Sequence, residues 1–370
     1  MTELISGISV QGLPDRDFAV ETNCTVVPRR AAFLPAEYQM KAIGLGWIGC
    51  LLLLGTSSAC AQQAAAEFSP PEDVAFRKGT IVSEGSRLGA ELFTLKANGD
   101  KPLPTIIMSH GWGGMAASLR QTAIEFARAG YFTVVFDYRG WGGSEGKIVS
   151  TKPLERGKPG EPRSVEVKEI REVVDPLDMT TDLQNVVHWV HGEKQCDARR
   201  IGLWGTSYSG GHVVYVAARD PRIKVTVSQV PGMDSRFVLL GSGRKQTLDE
   251  ATKRTRGELG YPEPGAVAVG NLRGAPIRER LMNYAPVDDA EKAPQCAMLF
   301  IIAGKEELFD NRDHGIKAHE RARGPKKLVT IPKITHYGIY GPAREEAQKL
   351  AIEWFDEHLK GTGPAQPAKE

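Results

Sequence analysis

Ser207 stands in Gly205-Thr206-Ser207-Tyr208-Ser209-Gly210-Gly211, directly after the apolar run Ile201–Trp204. A serine hydroxyl is a weak nucleophile at neutral pH. It becomes a strong one when a base within hydrogen-bond reach takes its proton and a carboxylate orients that base. A strand, a sharp turn carrying serine and then a helix form a nucleophile elbow. The turn forces the serine into a strained backbone conformation, so the residues two before and two after must be small. Gly205 and Ser209 occupy those places; the usual pattern is G-x-S-x-G, and Ser209 is a small replacement for its last glycine.

A second loop, His110-Gly111-Trp112-Gly113-Gly114, follows the apolar run Ile106–Met108. A strand leading into such a loop can turn a backbone N–H toward a developing oxyanion. The expected donors are the N–H groups of Trp112 and of Tyr208, the residue after the nucleophile. His110 is expected to hold the turn by hydrogen bonds and not to act as the base.

Eight histidines compete for the role of base. His188 and His191 fall in the last turn of a helix, where a cation suits the dipole. Their i,i+3 spacing could bind a metal, but the helix-end reading is preferred. His212 is expected to pack in the helix after the elbow, and His314, His319 and His358 to lie on helix surfaces. His336 differs, since it sits in Ile334-Thr335-His336-Tyr337-Gly338, just beyond the apolar run Leu328–Ile331 and before the final helix. That is the place of the base when the chain order is Ser, acid, His.

The acid should then follow the run Met298–Ile302, in Ala303-Gly304-Lys305-Glu306-Glu307-Leu308-Phe309-Asp310. Glu306 is best placed by its offset from the strand end; Asp310 and Glu307 are the alternatives. Asp137, in Asp137-Tyr138-Arg139-Gly140-Trp141-Gly142-Gly143-Ser144, precedes the nucleophile and has the wrong chain order. It is expected to tie its loop together with Arg139.

The elements that must position these residues are legible as short runs bounded by Gly, Pro or Asp: Ile106–Met108, Phe132–Phe136, Ile201–Trp204, Met298–Ile302 and Leu328–Ile331. Such runs are the mark of buried parallel strands. Thr80–Ser83 and Leu88–Leu95 suggest an antiparallel entry. Ile223, Val225 and Val227 alternate with Lys224, Thr226 and Ser228, which predicts a half-exposed strand. Helices are expected over Leu119–Ala127, stopped by Gly130; from Asp175-Pro176 with an apolar face of Leu183, Val186, Val187 and Val190; and from Pro342 through Phe355. Strand and helix therefore alternate, which implies a mostly parallel sheet covered on both faces. Two stretches interrupt it. Residues 146–173 read as a surface excursion, and about 231–295 as a cap inserted between two strands.

H-G-W-G-G, D-Y-R-G-W-G-G-S, G-T-S-Y-S-G-G and I-T-H-Y-G, in this order and spacing, resemble the α/β-hydrolase superfamily over about residues 75–360. Within it the chain is similar to dienelactone-hydrolase-like and Xaa-Pro-dipeptidyl-peptidase-like serine hydrolases. The resemblance implies the α/β-hydrolase fold, a mostly parallel eight-stranded sheet with helices on both faces, and a Ser207–Glu306–His336 triad. A dienelactone hydrolase proper carries a Cys nucleophile, so Ser207 argues against that particular reaction. The function expected is hydrolysis of an ester, thioester or small amide through an acyl-enzyme. The alternatives are acyl transfer with the same triad, or a non-catalytic binding protein on this fold. No cofactor and no metal are expected.

Composition and the N-terminus bound the rest. The chain has 370 residues, 47 Lys+Arg against 45 Asp+Glu and a net charge of +2, which leaves no electrostatic footprint for nucleic acid. Met40-Lys41 is followed by the 14-residue apolar run Ala42–Gly55 and then by small residues around Cys60. This describes a secretory signal, and it is too short to span a bilayer, which takes ~20 apolar residues. Residues 1–61 are thus expected to be a leader (translation starting at Met40, the signal running over 40–61), 62–75 a linker, 76–360 the hydrolase domain and 361–370 a disordered tail. Cleavage before Gln62 would give an exported soluble protein, periplasmic or secreted. Lipidation of Cys60 would anchor it to a membrane. Arg29-Arg30 suggests twin-arginine export only weakly, since Phe33-Leu34 falls one residue out of register. The partner expected is a small-molecule acyl substrate. Cys196 and Cys296 precede strands that the resemblance places two apart in the sheet, ~9–10 Å distant, so two unpaired thiols are expected.

Overall fold

The computed structural model describes residues 68–269 and 272–361. The leader, residues 62–67 of the linker and the tail from 362 lie outside the described residues. Eight strands form one sheet: β1 (Val74–Ser83), β2 (Ser86–Leu95), β3 (Leu103–Ser109), β4 (Phe132–Phe136), β5 (Cys196–Thr206), β6 (Ile223–Gln229), β7 (Ala297–Ala303) and β8 (Lys326–Ile331). Their spatial order is β1-β2-β4-β3-β5-β6-β7-β8. β1 pairs antiparallel with β2, and β2 with β4; the remaining pairs are parallel. The expected antiparallel entry is therefore present and longer than its apolar cores suggested. Its two-residue turn, Glu84-Gly85, has φ of 47° and 90°, the left-handed pair that suits the twist of a tight hairpin.

Helices cover both faces. On one face lie α1 (Arg120–Arg128) and α7 (Arg344–Phe355), where Phe126, Trp204 and Phe355 pack together. Phe126 and Phe355 meet edge-on at 5.8 Å. On the other lie α2 (Pro176–His191) and α3 (Ser209–Ala217), burying Leu183, Val187, Val213 and Val214 against Ile107 and Leu203. Each large apolar side chain buried in these layers contributes roughly 1.5–3 kcal/mol. α2 starts where its residue types place it: the Asp175 carboxylate accepts the N–H groups of Leu177 and Asp178 at 3.0 and 3.3 Å, and Pro176 takes the first position.

Four expectations need correction. β6 is not half-exposed: Thr226 and Ser228 are fully buried, because β6 lies between β5 and β7 with helices on both sides. Part of its polar face is satisfied internally: the Ser228 hydroxyl donates to the Gly210 carbonyl at 2.8 Å. The ordered domain begins before residue 76, since β1 starts at Val74 and Phe68 packs edge-on against Phe76 and Phe93. The excursion 146–173 contains a hairpin, Lys147–Ser150 with Val167–Ile170, built on residues too polar to read as strands. The last helix starts at Arg344, after an irregular turn at Gly341–Ala343.

Between β6 and β7 the chain carries α4 (Ser242–Thr255), three short strands and the single turn α5 (Arg278–Leu281). This is the stretch read as a cap. It is tied to the excursion by a parallel pair, Ala275-Pro276 on Val173-Val174. Cys196 and Cys296 are buried and form no bridge; burial pushes the Cys296 thiol up to about 12.

Candidate active site

The loops that carry the candidate residues leave the carboxyl ends of parallel strands β3, β5, β7 and β8, where open α/β sheets bind ligands. Ser207 follows β5 with φ +55°, a left-handed conformation that strains a non-glycine residue. Three backbone bonds hold it there: Ser207 N–H to Gln229 O at 2.8 Å, and the N–H groups of Gly210 and Gly232 to Ser207 O at 2.9 and 3.0 Å. Close packing explains the small neighbours. A Cβ on Gly205 would collide with the Ser209 carbonyl. One on Gly111, across the cleft, would lie 2.7 Å from the Ser207 Cβ.

Ser209 is more than a small residue. Its hydroxyl donates to the His110 carbonyl at 2.6 Å and bonds Tyr138 Oη at 2.6 Å. A glycine there could not join the turn after β5 to the His110–Gly114 loop in this way.

The structure brings Ser207, His336 and Glu306 together. His336 Nε2 lies 3.0 Å from Ser207 Oγ, and both Glu306 oxygens lie 3.0 Å from His336 Nδ1. The His336 and Glu306 side chains are 2% and 3% exposed, so their contact is shielded from water. The other two acid candidates go elsewhere. Asp310 is exposed and ion-paired with Arg312, which holds its carboxyl down to about 2. Glu307 Oε2 accepts the backbone N–H of His336 at 2.6 Å. Burial opposes its ionisation, but that bond and a neighbouring one to Thr335 prevail and hold its carboxyl below the ordinary range. Two consecutive glutamates thus grip one histidine, one by its ring and the other by its backbone. The position of Glu307 was legible in the sequence, but not this contact. Tyr340 Oη also braces the site, bonding Thr206 Oγ1 at 2.8 Å.

Trp112 and Tyr208 flank the serine, with their rings 5.2 Å apart. Among the described residues no acceptor takes either backbone N–H. Asp137 does not pair with Arg139. Its carboxylate accepts the N–H groups of Ala116 and Gly143 at 2.7 and 3.0 Å, while Arg139 is bound by the buried Asp182. It therefore ties its own loop to the one that carries Trp112.

Two histidines behind Ser207 are wholly buried. His110 Nδ1 bonds the Gly111 carbonyl at 3.0 Å, and His212 Nδ1 bonds Tyr284 Oη. Burial lowers both, and His110 further disfavours protonation of His212, whose value falls to about 3. An unfolded histidine takes up its proton near 6.5, which the folded His212 refuses until about pH 3. Stability is therefore expected to be full above pH 6.5 and to fall as pH drops through this window, by up to about 1.4 kcal/mol per pH unit for each such histidine. Thermal melts between pH 7 and 5, above the carboxylate range, read this slope. His212→Gln should flatten it whatever its own midpoint; an unchanged slope would refute the assignment.

His314 is not on a helix surface as expected but 9% exposed, in the wall of a cavity of about 590 Å³ beside Ser207. Its sequence context reads only as a helix start, and its place in the wall comes from bonds to a distant segment, the backbone N–H groups of Met233 and Asp234. Trp112, Phe237, Leu272, Leu308 and Phe309 make most of the cavity apolar. His319 and His358 are partly exposed. Among the described residues no group of three or more His, Cys, Asp or Glu is arranged to hold a metal.

Residues 84–251 match the family model of the X-Pro dipeptidyl-peptidase (S15 family). An uncharacterised 31.7 kDa Escherichia coli protein from the traX-finO intergenic region is 30% identical over 290 residues, 69% of this chain and 91% of that one. The quorum-quenching protein AidA of Acinetobacter baumannii is 32% identical over 133 residues, 35% of this chain and 36% of its own. Thiohydrolase apmlB of Arthrinium phaeospermum is 27% identical over 49% of this chain and 51% of its own. Among solved structures, hypothetical protein PA2218 of Pseudomonas aeruginosa superposes with a TM-score of 0.63 at 21% identity, covering 79% of this chain and 96% of that one. The α/β hydrolase GrgF of a Penicillium species gives 0.59 at 17% identity, covering 78% and 99%. Fold, matched family and relatives agree: the chain belongs to the α/β-hydrolase superfamily and is an enzyme of its hydrolase/esterase type.

Proposed function

We propose that the chain is a serine hydrolase that cleaves an ester or thioester through an acyl-enzyme. The observation that carries this reading is the unbroken chain of 3.0 Å contacts from Glu306 through His336 to Ser207 Oγ. The carboxylate accepts Nδ1–H, which leaves Nε2 free to take the serine proton. As Oγ attacks the carbonyl carbon, the proton passes to Nε2 and the imidazolium is stabilised by Glu306. The carbonyl oxygen becomes an oxyanion facing the N–H groups of Trp112 and Tyr208. His336 then returns the proton to the leaving group, the acyl group stays on Ser207, and water activated by the same imidazole releases it.

The cavity supports a small-molecule acyl substrate, since about 590 Å³ with mostly apolar walls suits one ligand of that size. The name thiohydrolase belongs to a relative, and it supports including thioesters among the candidates. We also propose export, on the strength of the apolar run Ala42–Gly55 and the small residues after it.

The direct test is covalent labelling. A fluorophosphonate probe is expected to modify the protein stoichiometrically, with the adduct mapped by mass spectrometry to the peptide bearing Ser207. Failure to label, or labelling elsewhere, would overturn the reading.

A further inference from the structure

The cavity beside Ser207 contains one histidine that hydrolysis does not use. His314 closes the acid loop just before α6 (Gly315–Arg321), and its Nδ1 accepts two backbone N–H groups, from Met233 at 2.8 Å and Asp234 at 3.2 Å. A ring nitrogen that accepts carries no hydrogen, so the neutral ring bears its hydrogen on Nε2. Burial keeps the ring neutral, although Asp234, Asp313, Glu306 and Asp310 all pull the other way. The ring is fixed in place as well as in tautomer. It packs against Phe309 in a tilted contact at 4.3 Å, and Phe309 meets His336 edge-on at 5.6 Å.

Among the described residues no acceptor takes the Nε2–H of His314. Unlike Nε2 of His110 and of His212, that atom is not sealed inside the protein, because the ring lines the cavity. A held donor facing a mostly apolar chamber has value only when a ligand oxygen fills its bond, and it penalises a ligand that leaves it empty.

We propose that His314 is a specificity-determining residue whose Nε2–H binds an uncharged oxygen of the substrate (hydroxyl, ketone, ether or amide carbonyl) beyond the scissile carbonyl. The substrate class is thus an oxygen-bearing ester or thioester, not a plain alkanoyl one. The surrounding charges exclude a carboxylate in that place. Asp234 and Glu307 share the cavity wall, and no lysine or arginine lines it. The Asp234 carboxylate is already occupied by Arg236, and that of Glu307 by the His336 N–H.

The inference rests on the serine-hydrolase reading. Its test compares the p-nitrophenyl esters of pentanoate, 3-hydroxypentanoate, 3-oxopentanoate and 5-methoxypentanoate. In His314→Asn the side-chain carbonyl can replace Nδ1 as acceptor for Met233 and Asp234, while the donor at the Nε2 position is lost. Dividing kcat/KM of the variant by that of the parent cancels each ester's intrinsic reactivity. The loss is expected to be at least fivefold greater for one or more oxygenated esters than for pentanoate. His314→Gln, whose amide reaches the Nε2 position, is expected to recover part of the difference. A differential below fivefold across the panel overturns the role of His314. If the parent still labels with fluorophosphonate, that result leaves the hydrolase reading standing. If the parent neither labels nor turns over any ester, both fall.

Discussion

Replacing Ser207 by Ala is expected to lower turnover of a p-nitrophenyl ester by ~10⁴-fold or more, with no compensating change in KM. The magnitude follows from the loss of the covalent route. With the hydroxyl gone, His336 and the proposed oxyanion donors can only assist direct attack by water. Folding is expected to survive. Alanine is no larger than serine, and the strained turn at φ +55° is held by backbone bonds to Gln229, Gly210 and Gly232 that any side chain would leave intact. Melting temperature therefore serves as the control, and fluorophosphonate labelling should disappear with activity. A Ser207→Ala protein that keeps most of its turnover would sink the mechanism.

Glu306→Gln carries the second largest expected loss, on the order of 10³–10⁴-fold in kcat. Both carboxylate oxygens lie 3.0 Å from His336 Nδ1. The ion does two things: it holds the tautomer that leaves Nε2 free, and it stabilises the imidazolium formed during attack. A neutral amide cannot do the second, and its NH₂ group can favour the wrong tautomer. Asp310→Asn measured alongside is expected to stay within about threefold of the parent, since Asp310 is exposed and paired with Arg312. The reverse ranking would move the acid role to Asp310.

Comparing these two carboxylates shows what was legible. From the linear order, Glu306, Glu307 and Asp310 all follow the same strand, and any of them could reach a histidine after the next one. Only the backbone of the turn decides which does. β7 and β8 are paired in parallel register, and the loops beyond them are joined by Lys305 N–H to the Ile334 carbonyl at 2.9 Å. That bond fixes the start of the acid loop beside the histidine loop, and Glu306 comes to face the ring while Glu307 meets the backbone. Ser207 and His336 were easier to find, because a strand followed at once by a constrained motif leaves little conformational choice.

β6 and Arg139 show the opposite case. Alternation of Ile223, Val225 and Val227 with polar residues implies an exposed face, yet the position of β6 in the sheet buries both faces. A strand's neighbours are not written in the strand. Likewise Asp137 and Arg139 are two residues apart but do not pair. Arg139 goes to Asp182, buried on α2, and Asp137 goes to two backbone N–H groups, Gly143 in its own loop and Ala116 beyond the loop that carries Trp112.

The residue types and their order alone determined the alternation of strand and helix, the serine on its turn, the histidine loop and the apolar run near the N-terminus. These are local properties of side-chain size, polarity and backbone freedom, which act within a few residues. The tertiary structure decided which glutamate meets His336, that Ser209 joins the turn after β5 to the loop after β3, and that the His314 ring lines the cavity beside Ser207. Each of those depends on groups far apart in the chain, and loop geometry fixes such contacts only after the sheet has set the ends of its strands.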